Sequence, residues 1–186
     1  MDRDRYLASV IAHYRECWGN DYRSIRWEKG PVHRHPLGFQ VLEFKPNKKH
    51  KLWTYASVGM SCETHAQAIE LHMFSPYQTD RIVELLTIVA TFHCNDKKLG
   101  LNHRINFGEP WLEESKCTKG FISLPYLDGP KLEVFRLNEM RVGFYWLIPI
   151  TETEADIVDA EGVEGLESRF ENQQFDYSNP NRISVA

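Results

Sequence analysis

Cys117 offers the most reactive chemistry in this chain, provided that a base stands beside it. His103 lies upstream and Asp128 downstream, and a Cys–His–acid set activates a thiol by lowering its pKa. The Ser-Lys-Cys-Thr-Lys-Gly context matches no nucleophile signature, and Lys116 and Lys119 serve equally well as surface residues. The expectation is a non-enzyme, with a small Cys/His-dependent enzyme kept as the alternative. Metal chemistry fares no better, because a zinc site takes about four ligands, usually with a close pair among them. Eight His and four Cys provide only His33-Arg34-His35 and the adjacent His93-Cys94, and adjacent helical side chains point about 100° apart. No metal and no cofactor is expected. Neither G-x-G-x-x-G nor G-x-x-x-x-G-K-[ST] occurs, so no phosphate cradle is encoded. Glu70 and His72 alternate with Ile69, Leu71 and Met73, the pattern of a strand with one solvated polar face.

Binding chemistry is better represented. Residues 99–130 mix Gly, Pro, Asn, His and Cys with Phe107, Trp111, Phe121 and Tyr126, whereas a solvated linker is polar throughout. Asn102, His103 and Asn106 read as anchors that tie an irregular loop to its own backbone, with ligand contact as the other option. Trp111 and Tyr126 read either as core anchors or as interface hot spots. Together with Asp128 they are taken as candidate partner contacts. Residues 151–171 contain eight acids against the single base Arg169. Glu161, Glu164 and Glu167 therefore join the partner-binding candidates, for a basic protein; the plainer reading is a solvated helix face.

The elements that must position these residues follow from periodicity. Tyr6, Leu7, Val10, Ile11, Tyr14, Cys17 and Trp18 form a helical stripe that Gly19-Asn20 stops. Residues 20–37 read as irregular. Strands are expected near 39–44, over 52–60 and over 68–74, the last two joined by a hairpin loop at 61–65. Ser75-Pro76-Tyr77-Gln78 has the form of a capping box ahead of the stripe Ile82, Leu85, Leu86, Val89 and Phe92. Three further strands follow over 121–126, 132–137 and 142–150. Thr151-Glu152-Thr153-Glu154 is a second capping box that opens a short acidic helix displaying its carboxylates outward, with another turn or two of helix near 166–170. Helices and strands do not alternate, which selects an α+β fold: a mainly antiparallel sheet covered on one face by the helix at 79–94.

Composition agrees. With 186 residues the chain is expected to form one domain, 1–186, burying about two-thirds of its unfolded surface. Five Trp, eight Tyr and ten Phe exclude a disordered chain. A net charge of −4 gives no case for nucleic acid, and no apolar run approaches the roughly twenty residues that cross a bilayer. Behind Met-Asp-Arg-Asp-Arg there is no signal-like segment. Cys17, Cys62, Cys94 and Cys117 are far apart in sequence and are expected to be reduced, which places the protein in the cytoplasm.

Several blocks in order carry a resemblance. They are Ile69-Glu70-Leu71-His72-Met73-Phe74-Ser75-Pro76, Ile82-Val83-Glu84-Leu85-Leu86, Gly100-Leu101-Asn102-His103 with Asn106-Phe107-Gly108, Ser123-Leu124-Pro125-Tyr126-Leu127-Asp128-Gly129-Pro130, Trp146-Leu147-Ile148-Pro149-Ile150-Thr151 and Asn179-Pro180-Asn181-Arg182. Over roughly residues 51–186 the chain resembles the suppressor of fused family in its bacterial, single-domain form. The resemblance implies a mixed α/β domain like the first lobe of the animal protein, which clamps an extended Gli peptide between two lobes. The resemblance covers the first lobe only, and no counterpart of the second is expected. For bacterial members it implies an immunity protein that neutralises a toxin by stoichiometric binding. A peptide-binding adaptor acting by strand addition is the alternative within the binding class.

Overall fold

The computed structural model describes residues 2–48, 50–61, 67–173 and 175–186. Helix α1 (Arg3–Trp18) starts where the Asp2 carboxylate accepts the Asp4 amide, and it stops at Gly19, whose φ of 93° suits glycine. Strands β1 (Tyr22–Ile25), β2 (Gln40–Phe44), β3 (Trp53–Val58) and β4 (Gln67–Ser75) then form an antiparallel meander. Helix α2 (Asp80–Asn95) crosses to β5 (Arg104–Asn106) and β6 (Lys119–Ser123). A single helical turn, α3 (Pro130–Glu133), leads into the hairpin of β7 (Val134–Leu137) and β8 (Met140–Ile150), and α4 (Glu152–Asn172) follows. The sheet order is β1-β2-β3-β4-β8-β6-β5, with β7 alongside β8. The expected α+β class holds, and among the described residues every strand pairing is antiparallel except β4 with β8.

Both faces of the sheet are covered, not one. On one face α2 packs Ile82, Leu85, Leu86 and Val89 against Val41, Tyr55, Leu71, Met73 and Leu147, and residues 99–117 extend that layer with Phe107, Trp111 and Cys117. Gly120 belongs here because a Cβ would fall 2.6 Å from the Phe107 ring. On the other face α1 covers Leu42, Phe44, Ala56 and Phe144, while α4 and the C-terminal segment cover Phe74, Phe121, Trp146 and Ile148. A row of register partners runs along this second face through Leu42, Ala56, His72, Trp146 and Ser123.

Local departures from the expected elements have local causes. Ser75 closes β4 and donates to the Tyr77 carbonyl, so the cap of α2 is Thr79, whose hydroxyl accepts the Arg81 amide. Residues 20–37, expected to be irregular, contain β1, whose four residues are too few to show a period. The strand expected over 132–137 begins as helix α3, because Pro130 sits at a helical N-terminus. The two helices expected after Thr151 are present and run on from one another within α4, separated at Gly162, whose backbone is not helical (φ 79°, ψ 179°). The α4 capping box forms as expected, with both reciprocal bonds present. Most of the hairpin loop expected at 61–65 lies outside the described residues. Cys17 and Cys117 are free thiols, but Cys94 is disulfide-bonded, which corrects the expectation of four reduced cysteines. Spacing along a chain does not report proximity in the fold, and the compartment argument built on reduced thiols loses its basis. No described helix is long and apolar enough to cross a membrane.

Candidate functional site

Four of the six sequence-selected partner contacts meet on one surface, with the loop anchor Asn102 in the same wall. The break at Gly162 leaves a concavity of about 470 Å³ whose walls include Glu161, Glu164 and Glu167 on α4, and Leu101, Leu124 and Tyr126 opposite. Glu161 pairs with Arg169 at 2.6 Å. Among the described residues Glu164, Glu167 and Glu171 have no ion pair. Tyr126 Oη and Ser123 Oγ both donate to Glu167 Oε1, at 3.2 and 3.1 Å, which leaves Oε2 without a partner among the described residues. This acidic shelf is a product of the kink and of the turn after β6.

Tyr126 and Glu167 also border a second hollow of about 320 Å³, lined by Trp146 of β8, Phe170 of α4, and Phe175 and Tyr177 of the C-terminal segment. Phe170 stacks on Phe175 at 4.1 Å, and Trp146 meets Tyr177 edge to face at 5.2 Å. The C-terminal wall is held by a buried clamp. Arg182 donates to both oxygens of Glu154, at 2.5 and 2.6 Å, and to the Pro149 carbonyl, while Val185 N–H donates to Glu154. Burial opposes ionisation of Glu154, but the Arg182 bonds and charge outweigh it and hold the carboxyl below its ordinary pKa. Glu154, expected to face outward, is fully buried because this guanidinium satisfies it. Arg182 also lies 4.6 Å from the Phe175 ring centroid.

Behind the pocket sits a polar knot. His72 is the register partner of Trp146, and Asp128 follows Leu127 at the rim. Trp18 Nε1 donates to Asp128 Oδ1 at 2.5 Å, while Asp128 Oδ2 lies 3.6 Å from His72 Nε2. Burial lowers the His72 pKa to about 3 and raises that of Asp128, so the imidazole is neutral and this contact is not an ion pair. Among the described residues Tyr14 Oη, both His72 nitrogens and Asp128 Oδ2 are buried without a hydrogen-bond partner. No group of three or more His, Cys, Asp or Glu side chains among them is placed to hold a metal ion.

Of the remaining candidates, Asn102, His103 and Asn106 line a further hollow together with Arg104 and Asp159, and the others lie apart. Trp111 is buried under the opposite face, where its indole donates to Ser115, and the Asp128 side chain is 2% exposed. Neither can serve as a surface contact: the Trp111 indole is spent on Ser115 inside the core, and the Asp128 carboxylate accepts from the Trp18 indole. Asn106 accepts the Gly108 amide and so ties its loop. Asn102 adopts φ 67° with its amide bonded to Ile122, and His103 bonds through its backbone; both side chains are exposed. The Cys117 thiol is buried, and burial raises its pKa, with Arg182 pulling the other way. A raised thiol is a poor nucleophile. Glu70 and His72, expected on a solvated strand face, are wholly buried because α1 covers that face. Trp146, Phe170, Glu171, Phe175 and Tyr177 escape a reading by periodicity. The one signal for them is the aromatic spacing Phe170, Phe175, Tyr177 just after the acidic helix.

Comparison with known proteins decides the family. The suppressor of fused protein (SUFU) family profile matches residues 35–183. The chain belongs to the SUFU family. A SUFU homologue from Neisseria gonorrhoeae is 31% identical, superposes with a TM-score of 0.85, and is matched over 98% of both chains. A Sufu–Fu complex structure shares the fold at 13% identity and a TM-score of 0.73, over 97% of this chain and 92% of that one. Drosophila Suppressor of Fused does so at 13% identity and 0.71, over 97% of this chain, which spans 51% of it. No match was found among curated proteins. Three SUFU-like blocks meet around the aromatic pocket: Ser123 to Leu127 at its rim, Trp146 and Ile148 in its wall, and Arg182 in the clamp behind it.

Proposed function

We propose that this SUFU-family chain is a non-enzymatic protein-binding module that occludes a basic protein partner stoichiometrically, as a bacterial immunity protein neutralises a cognate toxin. The observation that carries this reading is the convergence of Tyr126, Glu161, Glu164 and Glu167 on one concave, acidic surface. Surface charge of one sign steers an oppositely charged partner and sets the association rate. Aromatic contacts beside it then govern dissociation. The related Sufu–Fu structure is itself a protein complex, which fits a binding role for the fold. The buried thiol of Cys117 weighs against the Cys/His enzyme.

The test replaces Glu161, Glu164 and Glu167 together by Gln and follows binding to a basic toxin encoded beside this gene. Association at low salt is expected to slow by about tenfold, with the difference vanishing at high salt as screening shortens the field. An association rate unchanged at low salt would leave these carboxylates as mere solvation of the helix.

A further inference from the structure

The hollow beside the acidic shelf is built for something more specific than solvent. Its volume of about 320 Å³ lies at the small end of ligand pockets, which run ~300–1,000 Å³. That is room for one side chain, not for a nucleotide or a folded element. We propose that it receives the side chain of one arginine from the protein partner, an inference that rests on the protein-binding reading above.

The lining selects the guest. Trp146, Phe170 and Tyr177 provide aromatic surface, and Glu167 and Glu171 stand one helical turn apart on the same face of α4. An apolar guest would desolvate those two carboxylates without compensation. A lysine ammonium would meet them, but it is compact and strongly hydrated. A guanidinium is planar and weakly hydrated, stacks on aromatic rings, and offers a fork of donors to carboxylates. Glu167 Oε2 has no partner among the described residues and is available to that fork.

The electrostatics of the pocket agree with a cationic guest. Burial raises the pKa of the Tyr126 hydroxyl, and Glu167 and Glu171 add to the rise. Burial likewise raises Tyr177, with Asp176 and Asp128 adding. In both cases burial is the larger cause, and neighbouring carboxylates add to it. The protein also uses the proposed chemistry once within its own fold. On the inner side of the same wall, Arg182 lies over Phe175 while its two terminal nitrogens bond a glutamate. The pocket repeats those ingredients, ring and carboxylate, on the side that faces solvent.

The test titrates the full chain with capped Gly-Arg-Gly and reads indole and aromatic resonances by NMR. Saturable shifts are expected at Trp146 and Tyr126 and not at Trp27 or Trp53, which pack against the other face. Matched peptides with Lys or citrulline are expected to bind at least about fivefold more weakly, the scale of one charge-assisted contact. Glu167→Gln with Glu171→Gln is expected to weaken the arginine peptide similarly while leaving thermal unfolding unchanged. No saturable shift at the pocket, or a norleucine peptide binding as well as the arginine one, would overturn the assignment. The shelf carboxylates are read by association rate and the pocket by peptide shifts. Failure of the peptide while the shelf substitutions still slow association removes only the arginine site; an association rate that the shelf substitutions leave unchanged, with intact peptide binding, removes the toxin-occlusion reading.

Discussion

Glu70 and Glu154 lie on the same side of the sheet, fully buried, and each accepts at least four hydrogen bonds. Glu70 takes them from Tyr6 Oη at 2.6 Å, Ser57 Oγ at 2.5 Å and the amides of Gly59 and Met60, all neutral donors. Glu154 takes two of its own from Arg182. Burial raises Glu70 to about 7 despite its four donors, whereas Glu154 falls below its ordinary range. The number of hydrogen bonds is thus not what decides ionisation in this interior; a formal positive charge is. The two regions differ accordingly in what they do. Around Glu154 a permanent ion pair fixes the wall of the aromatic pocket. Around Glu70 a titratable group replaces ladder bonds where β3 leaves β4, and Leu71 N–H turns to Ser57 Oγ instead.

Removing the charge that distinguishes them has the largest expected effect. Arg182→Ala leaves Glu154 buried and unpaired, and breaking such a pair costs about 3–5 kcal/mol. Urea unfolding at neutral pH measures it, and residues 175–186 should become sensitive to protease. Adding Glu154→Gln should restore part of the loss. A cost below about 1 kcal/mol, the value of an exposed pair, would mean that water already reaches this carboxylate.

The next effect is one of sign. Glu70 is protonated up to about pH 7 in the folded chain but only to its ordinary carboxylate range when unfolded. The folded state therefore binds more protons in between. This stability is fully present below about pH 4.5 and is lost as pH rises through about 7, by on the order of 3 kcal/mol. Glu154 runs the other way: its contribution is present above the ordinary carboxylate pKa and is lost as pH falls below it. His72, held neutral with a pKa of about 3, also loses stability as pH falls from about 6.5. Unfolding free energies of Glu70→Gln from pH 4 to 8 should show the decline toward pH 8 flattened and the acid limb intact. An unaltered slope above pH 5 would place that proton elsewhere.

How much of this was legible in the sequence depends on whether a residue acts through a period or through a meeting. Helices α1 and α2 and the capping box at Thr151 announce themselves locally, since their signals lie within a few turns of chain. The acidic shelf was half legible: the charges of 161–167 are visible in composition, but the kink that makes them concave rests on one glycine. The pocket was not legible. Trp146 and Tyr177 are far apart in sequence and meet only in the fold, where Arg182 bonds Glu154 and holds the C-terminal segment in place. Glu70 and His72 alternate as solvated strand residues do, and only the covering of that face by α1 shows otherwise. Alternation reports which residues share a face, not whether a helix lies on it.

The smallest expected effect sharpens the comparison most. Tyr6 on α1 gives Glu70 one neutral donor, at 2.6 Å. Tyr6→Phe removes that donor and keeps the ring in place. Where Glu70 is protonated, near pH 5, the loss is that of an ordinary hydrogen bond, about 1 kcal/mol. Near pH 8 the acceptor is a carboxylate, and bonds to charged groups contribute about 1.5–3 kcal/mol. Losing a donor that favours the charged form also raises the folded pKa further, so the decline in stability should extend to higher pH. Comparing unfolding free energies of the two proteins at pH 5 and pH 8 separates these regimes. A pH-independent difference would mean that Glu70 keeps one protonation state throughout, and its contrast with Glu154 would then rest on packing, not on charge.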